Sequence, residues 1–199
     1  MKCAKCKLKR CYVEGGNCTR IAHEDIVETY KADPENVKIM EAAACTEARG
    51  YNQQTRLEET AEFCKTMGVK KIGIAFCIGL REEASFVHEY LSKFFVVDSV
   101  CCKVCSLPKS ELALEQIKPD TREAMCNPLT QAKILNDAGC ELNFTVGLCV
   151  GHDMLFTKGS NVPVSCIITK DRVLAHNPAG VVYSRYWKRK LGILPEDQV

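Results

Sequence analysis

Strands that alternate with helices, read as continuous apolar runs and end repeatedly in cysteine predict an α/β protein. The expected form is a small doubly wound, mostly parallel sheet with a Rossmann-like layout, preceded by an N-terminal helical segment and a cysteine-rich metal knuckle. Strands covered on both faces by helices have no solvent side, which is why they lack strict apolar–polar alternation.

The elements follow in order. Residues 1–22 hold Cys3, Cys6, Cys11 and Cys18 among basic residues and carry too little apolar material to fold on a core of their own. From His23 the pattern turns helical. Ile26, Val27 and Tyr30 make a short amphipathic face before Asp33-Pro34, and Pro34 suits the first position of a second helix with Val37, Met40, Ala44 and Ala48 at helical spacing. A third helix from about Thr55 places Leu57, Ala61 and Cys64 inward and stops at Gly68. Four strands are then expected, at Lys71–Cys77, Phe95–Cys101, Leu142–Cys149 and Val162–Thr169. A helix at Arg81–Phe94 separates the first two. Another runs from Asn127-Pro128 to Gly139, with Asn127 as cap and Pro128 at its start. The boundaries are 1–22 for the knuckle and 23–199 for the α/β domain, divided into N-terminal helices (23–68) and a sheet layer (69–180).

A chain of 199 residues buries a sufficient core without covalent help, and 46% hydrophobic with 26% charged residues is an ordinary globular balance. Lys and Arg number 27 against 25 Asp and Glu, which leaves no basic footprint for nucleic acid. The longest apolar run, Ile72–Leu80, falls well short of the about 20 residues that cross a bilayer. The opening MKCAKCKLKRC is charged and lacks the apolar core of a secretory signal. A cytoplasmic location, with neither nucleic acid nor membrane as partner, is the resulting expectation. In a reducing cytosol 14 cysteines argue for metal ligation rather than a disulfide framework.

Two constellations carry that chemistry. Cys3, Cys6, Cys11 and Cys18 are spaced C-x2-C-x4-C-x6-C, which suits either a zinc knuckle or a compact cubane site, the metal replacing the missing core. The second lies at the strand ends. In an open parallel sheet, ligands bind beyond the carboxyl ends of the strands, near helix N-termini. Cys77, Cys102, Cys126 and Cys149 all fall there, from four separate loops, with Cys101 and Cys105 as substitutes for Cys102. Cys45, Cys64, Cys140 and Cys166 read as core or incidental residues. His152, beside Cys149, is a candidate ligand, acid or hydrogen-bond partner to a cluster sulfur; His23 and His88 carry no signal.

A rival reading starts from Gly147-Leu148-Cys149-Val150-Gly151, which fits a nucleophile elbow with Cys in place of Ser. Cys149 would attack a carbonyl, His176 act as base and Asp171 orient it, with Asp153 a second acid candidate and a structural zinc at the N-terminus. The related turn Ala75-Phe76-Cys77-Ile78-Gly79-Leu80 is left unused by that mechanism.

The runs IGIAFCIGLREEA, SVCCKVC, EAMCNP with QAKILN, VGLCVGHDMLF and KDRVLAHNP together resemble an uncharacterised family of cysteine-rich metal-binding proteins of anaerobic bacteria and archaea, known as a domain of unknown function. The resemblance covers nearly the whole chain, including the N-terminal C-x2-C-x4-C segment. It implies metal binding at Cys3, Cys6, Cys11, Cys18, Cys77, Cys102, Cys126 and Cys149 in an anaerobic setting, which favours one or two iron–sulfur clusters (4Fe–4S) over zinc at Cys3, Cys6, Cys11 and Cys18. Electron transfer to a redox partner, or cluster-dependent chemistry on a small molecule, are the functions to weigh.

Overall fold

The computed structural model describes residues 1–194. The chain divides into two compact units, Met1–Cys45 and Thr46 onward.

The first unit holds a 3-10 turn (Cys3–Lys5), α1 (Arg10–Val13), α2 (His23–Lys31) and the start of α3 (Pro34–Gly50). None of the elements from Cys3 to Lys31 buries a residue. That agrees with a segment too poor in apolar residues to make a core. Local polar bonds shape it instead: Asn17 accepts from the Thr19 N–H at 2.8 Å, and Asp33 accepts from the Glu35 N–H at 2.9 Å at the start of α3.

In the second unit α4 (Arg56–Met67) begins with a reciprocal capping box between Thr55 and Glu58 and ends at Gly68, whose φ of 72° is the left-handed C-cap. It buries Thr60, Ala61, Cys64 and Met67. Four strands follow, β1 (Lys71–Phe76), β2 (Val96–Cys101), β3 (Leu142–Val146) and β4 (Val164–Ile168), with α5 (Arg81–Leu91) after β1, α6 (Pro128–Asp137) before β3 and α7 (His152–Gly159) after it. The short helices α8 (Gly180–Tyr183) and α9 (Arg185–Lys190) come last. Among the described residues no helix is long and apolar enough to cross a membrane.

All strands are parallel, in the order β2-β1-β3-β4. Every residue of β3 is buried, as are the central four of β1, as expected of strands covered on both faces. Ile72, Ile74, Leu80, Leu91, Leu135, Val146 and Phe156 are wholly enclosed. Each such aliphatic or aromatic side chain contributes about 1.5–3 kcal/mol by leaving water.

The strand order fixes where a ligand can enter. From β1 the chain steps outward to β2, and from β2 it returns past β1 to β3. Right-handed crossovers therefore put α5 and α6 on opposite faces. α7 packs on α6 and shares its face. The loop after β1 thus leads to one face and the loop after β3 to the other, so the sheet opens between their carboxyl ends. The register pairs Phe76 with both Cys101 and Val146, which brings the strand ends level.

A candidate thiolate centre at the carboxyl edge of the sheet

Cys77 and Cys102 follow directly on two of these level strand ends, and Cys149 lies three residues beyond the third. Cys77 prolongs β1, its N–H donating to Val146 O at 3.1 Å, before the 3-10 turn Ile78–Leu80. Cys102 prolongs β2, donating to Phe76 O at 2.8 Å. After it the chain makes an excursion over residues 103–126, tied at its base where Asn127 N–H donates to Cys102 O at 2.8 Å. That bond sets Cys126 beside Cys102 at the entry to α6. The excursion is held by Lys109–Glu123, an ion pair of 2.9 Å, and by Met125 N–H on Leu107 O at 2.8 Å.

Cys149 is placed by a tight turn. Gly147 has φ of 64°, and a Cβ there would stand 2.5 Å from Leu80 Cδ2, so glycine is required twice over. Asp153 then accepts from the Gly151 N–H at 2.9 Å at the start of α7. Deeper in, Gln131 is wholly buried on the sheet-facing side of α6, and its Nε2 donates to Val100 O at 2.7 Å and Phe76 O at 3.2 Å. One amide thereby ties together the carboxyl ends of β1 and β2, next to the two cysteines they carry.

The electrostatics divide these thiols sharply. Cys102 sits close enough to Cys126 and Cys77 for the three thiols to influence one another's acidity. That shared thiol is the main reason Cys77 is lowered to about 5, with help from the Gly79 N–H and the Lys170 ammonium, 3.5 Å from its sulfur, and against the cost of burial. Cys126 is likewise lowered to about 5, first by Cys102, then by Lys103 and His152. Cys102 itself is pushed strongly up by the two anionic neighbours, Cys126 first, and by its own burial, although the Ile78 N–H reaches its sulfur at 3.4 Å. Cys77 and Cys126 are thus the acidic members of the trio and Cys102 the one that keeps its proton most firmly.

Cys149 lines the same cavity as Cys77 and Cys126, whereas Cys102 is buried behind it. The Cys149 sulfur accepts from Arg172 Nη2 at 2.9 Å. The cavity, about 590 Å³, is lined by Cys77, Cys126, Cys149, His152, Lys170 and Arg172, with Lys103, Lys109 and Glu123 on the side of the excursion. His152 lies half-buried at the start of α7, its N–H on Cys149 O at 2.9 Å.

The remaining candidates fall elsewhere. Cys101 is half-buried and accepts from Lys103 N–H at 3.4 Å, and Cys105 is exposed with φ of 64°, so Cys102 alone of the three joins the trio. Cys64 is enclosed and pushed up to about 12 by burial, the state of an inert core thiol. Cys140 is also buried, Cys45 is half-buried and Cys166 is exposed on β4. Cys3, Cys6, Cys11 and Cys18 are all exposed; the Cys6 N–H closes a turn on Cys3 O at 3.0 Å. Among the described residues no three or more His, Cys, Asp or Glu side chains stand in a ready metal-binding arrangement.

The hydrolase residues are engaged otherwise. His176 Nδ1 accepts from the Asp171 N–H at 3.2 Å, and its own N–H donates to Asp171 O at 2.9 Å. The Asp171 carboxylate accepts from Val173 and Leu174 N–H, each at 2.8 Å. Together they close a turn, while the Cys149 sulfur accepts from Arg172.

The chain matches, over residues 16–167, the family described as a protein of unknown function (DUF1847). It belongs to that family. An uncharacterized protein of Methanocaldococcus jannaschii, MJ0455, is 52% identical over 191 residues, which cover 96% of this chain and 98% of the relative. The span that matches DUF1847 contains Cys18, Cys77, Cys102, Cys126 and Cys149. Cys3, Cys6 and Cys11 precede that span and the KDRVLAHNP run follows it, while the similarity to the archaeal relative extends over 96% of the chain, in keeping with the resemblance expected from the sequence.

Sequence reading missed Gln131, Lys170 and Arg172. Gln131 was visible as the one polar residue at a core position among Pro128, Ala132 and Leu135, all buried on α6. Lys170 and Arg172 lie two and four residues beyond the end of β4, at the edge where ligands bind, a position that marks them.

Proposed function

We propose that this protein is a metal-dependent, iron–sulfur type protein whose working centre is held by Cys77, Cys102 and Cys126, and that it acts on a small molecule. The observation that carries the reading is the gathering of three thiols with coupled acidities: Cys77 and Cys102 prolong neighbouring strands, and Cys126, at the far end of the excursion that Cys102 begins, is drawn beside it by the Asn127 N–H on Cys102 O. Thiolates are the metal-binding form of cysteine, and a cation that displaces the Cys102 proton would relieve the charge crowding the trio now sustains. The Ile78 and Gly79 N–H groups aimed at sulfur are the hydrogen bonds that tune such centres. A bound cluster with one metal position lacking a protein ligand supplies Lewis-acid chemistry.

Three thiols in one group, with Cys149 turned to Arg172 and an open cavity beside them, favour chemistry on a small molecule over a closed electron carrier. His152 at the cavity wall is placed to hold or deliver a proton. The N-terminal Cys3, Cys6, Cys11 and Cys18 segment is read as a second site, for zinc or a cluster, that orders residues 1–22 on loading. A reducing cytoplasm suits both sites, since thiolate ligands need protection from oxidation.

Anaerobic purification with iron, sulfide and zinc counts and an absorption spectrum tests the reading. Cys77→Ser, Cys102→Ser and Cys126→Ser should each lower metal content alike, and Cys149→Ser less. Unchanged metal in all three trio variants would overturn it.

A further inference from the structure

We infer that the open side of this cavity is a subsite for a small oxyanion, a carboxylate or phosphate group, received by Arg172 with Lys170. The inference deepens the proposed function and rests on it for the centre that a bound oxyanion would adjoin. Both residues come from the loop after β4, two positions apart, and both reach the cavity that holds the thiols. Arg172 spends one donor on Cys149 at 2.9 Å, and Lys170 one on Cys77 at 3.5 Å. Among the described residues neither meets a carboxylate, whereas Lys109, on the opposite wall, is paired with Glu123 at 2.9 Å. A guanidinium has five N–H donors in a planar fork that matches carboxylate and phosphate oxygens. Most of that fork remains available to an incoming anion.

The backbone of this loop is held in place. Asp171 and His176 exchange backbone and side-chain bonds of 2.9 and 3.2 Å, and the Asp171 carboxylate pins Val173 and Leu174 N–H. Ala175 and His176 sit at φ of 49° and 62°, conformations that cost free energy for side-chain-bearing residues and persist where surrounding bonds enforce them. The residues between and beyond Lys170 and Arg172 thus clamp a turn that presents both cations to one cavity. Opposite, Gly79 leaves room: a Cβ there would stand 3.2 Å from Lys170 Nζ. Lys103 and Glu115 line the same cavity from the side of the excursion.

Calorimetric titration of the anaerobically purified protein with inorganic phosphate and with succinate, each against a neutral control (succinamide for the dicarboxylate), tests this. Phosphate and succinate are expected to bind, with the stronger of them naming the oxyanion. Arg172→Gln should weaken binding roughly ten- to hundredfold, the value of a charge-assisted hydrogen-bonded pair, and Arg172→Lys by less. Lys170→Gln serves as the second variant should Arg172→Gln fold poorly, with a weakening of the same sign. Binding of neither anion, or equal binding by wild type and both Gln variants, overturns the inference. Anion binding that responds to Arg172→Gln in a protein that carries no iron or zinc upholds the subsite and sinks the metal reading instead.

Discussion

Replacing Cys102 by Ala tests the coupling on which the centre rests. In the metal-free, reduced protein Cys77 and Cys126 are lowered to about 5, and in both the leading cause is the hydrogen bond with Cys102. At pH 7 a group at about 5 is roughly 99% ionised, whereas a thiol at its ordinary value near 8.5 is only about 3% ionised. Removing the Cys102 thiol leaves Lys170, the Gly79 N–H, Lys103 and His152 to oppose burial alone, so both thiols must rise. Thiolate absorbance at pH 7 should fall from about two groups per chain in wild type toward less than one in Cys102→Ala. The sign for stability follows. A depressed thiol stabilises the fold fully above the unfolded value near 8.5 and loses that contribution as pH falls through about 5. Cys102, raised, acts in the opposite sense, stabilising at low pH and losing that contribution only as pH climbs through its raised value. Wild-type denaturation midpoints should therefore drop between pH 8.5 and 5, and the drop should shrink in Cys102→Ala. An acid-shifted pair that survives intact in Cys102→Ala would refute the shared-thiol account and transfer the effect to the neighbouring cations.

Three further outcomes are expected. Gly147→Ala combines a φ of 64° with a Cβ 2.5 Å from Leu80, and should cost about 2–4 kcal/mol in chemical denaturation. Gln131→Leu removes two bonds to Phe76 and Val100 carbonyls at about 1 kcal/mol each. It should also weaken metal retention, because the strand ends bearing Cys77 and Cys102 lose their shared tie; loss of stability with unchanged retention would confine Gln131 to packing. Cys6→Ala should release metal from residues 1–22 and leave them protease-sensitive while the sheet unit stays folded, as followed by limited proteolysis with metal analysis.

Much of the layout was legible because it rests on local rules. Continuous apolar runs such as Leu142–Val146 are what a strand buried on both faces needs, and the Thr55, Pro34 and Asn127 starts and the Gly68 stop follow from helix-end chemistry. The gathering of Cys77, Cys102, Cys126 and Cys149 at one edge also followed from the sequence, once a parallel sheet put every carboxyl end on the same side. The 103–126 excursion was not legible, because its order comes from long-range ties such as Asn127 to Cys102 and not from periodicity.

What the sequence determined by itself is therefore the class, the edge and the identity of the thiols that reach it. Tertiary structure alone decided which of Cys101, Cys102 and Cys105 joins the trio, since a one-residue difference at a strand end turns a side chain to the other face. It also decided that Cys149 turns to Arg172, and that Asp171 and His176 clamp a turn where a catalytic arrangement was conceivable. Such pairings depend on distances between loops that no local propensity encodes. They are settled only when the sheet brings β1, β2, β3 and β4 to a common end.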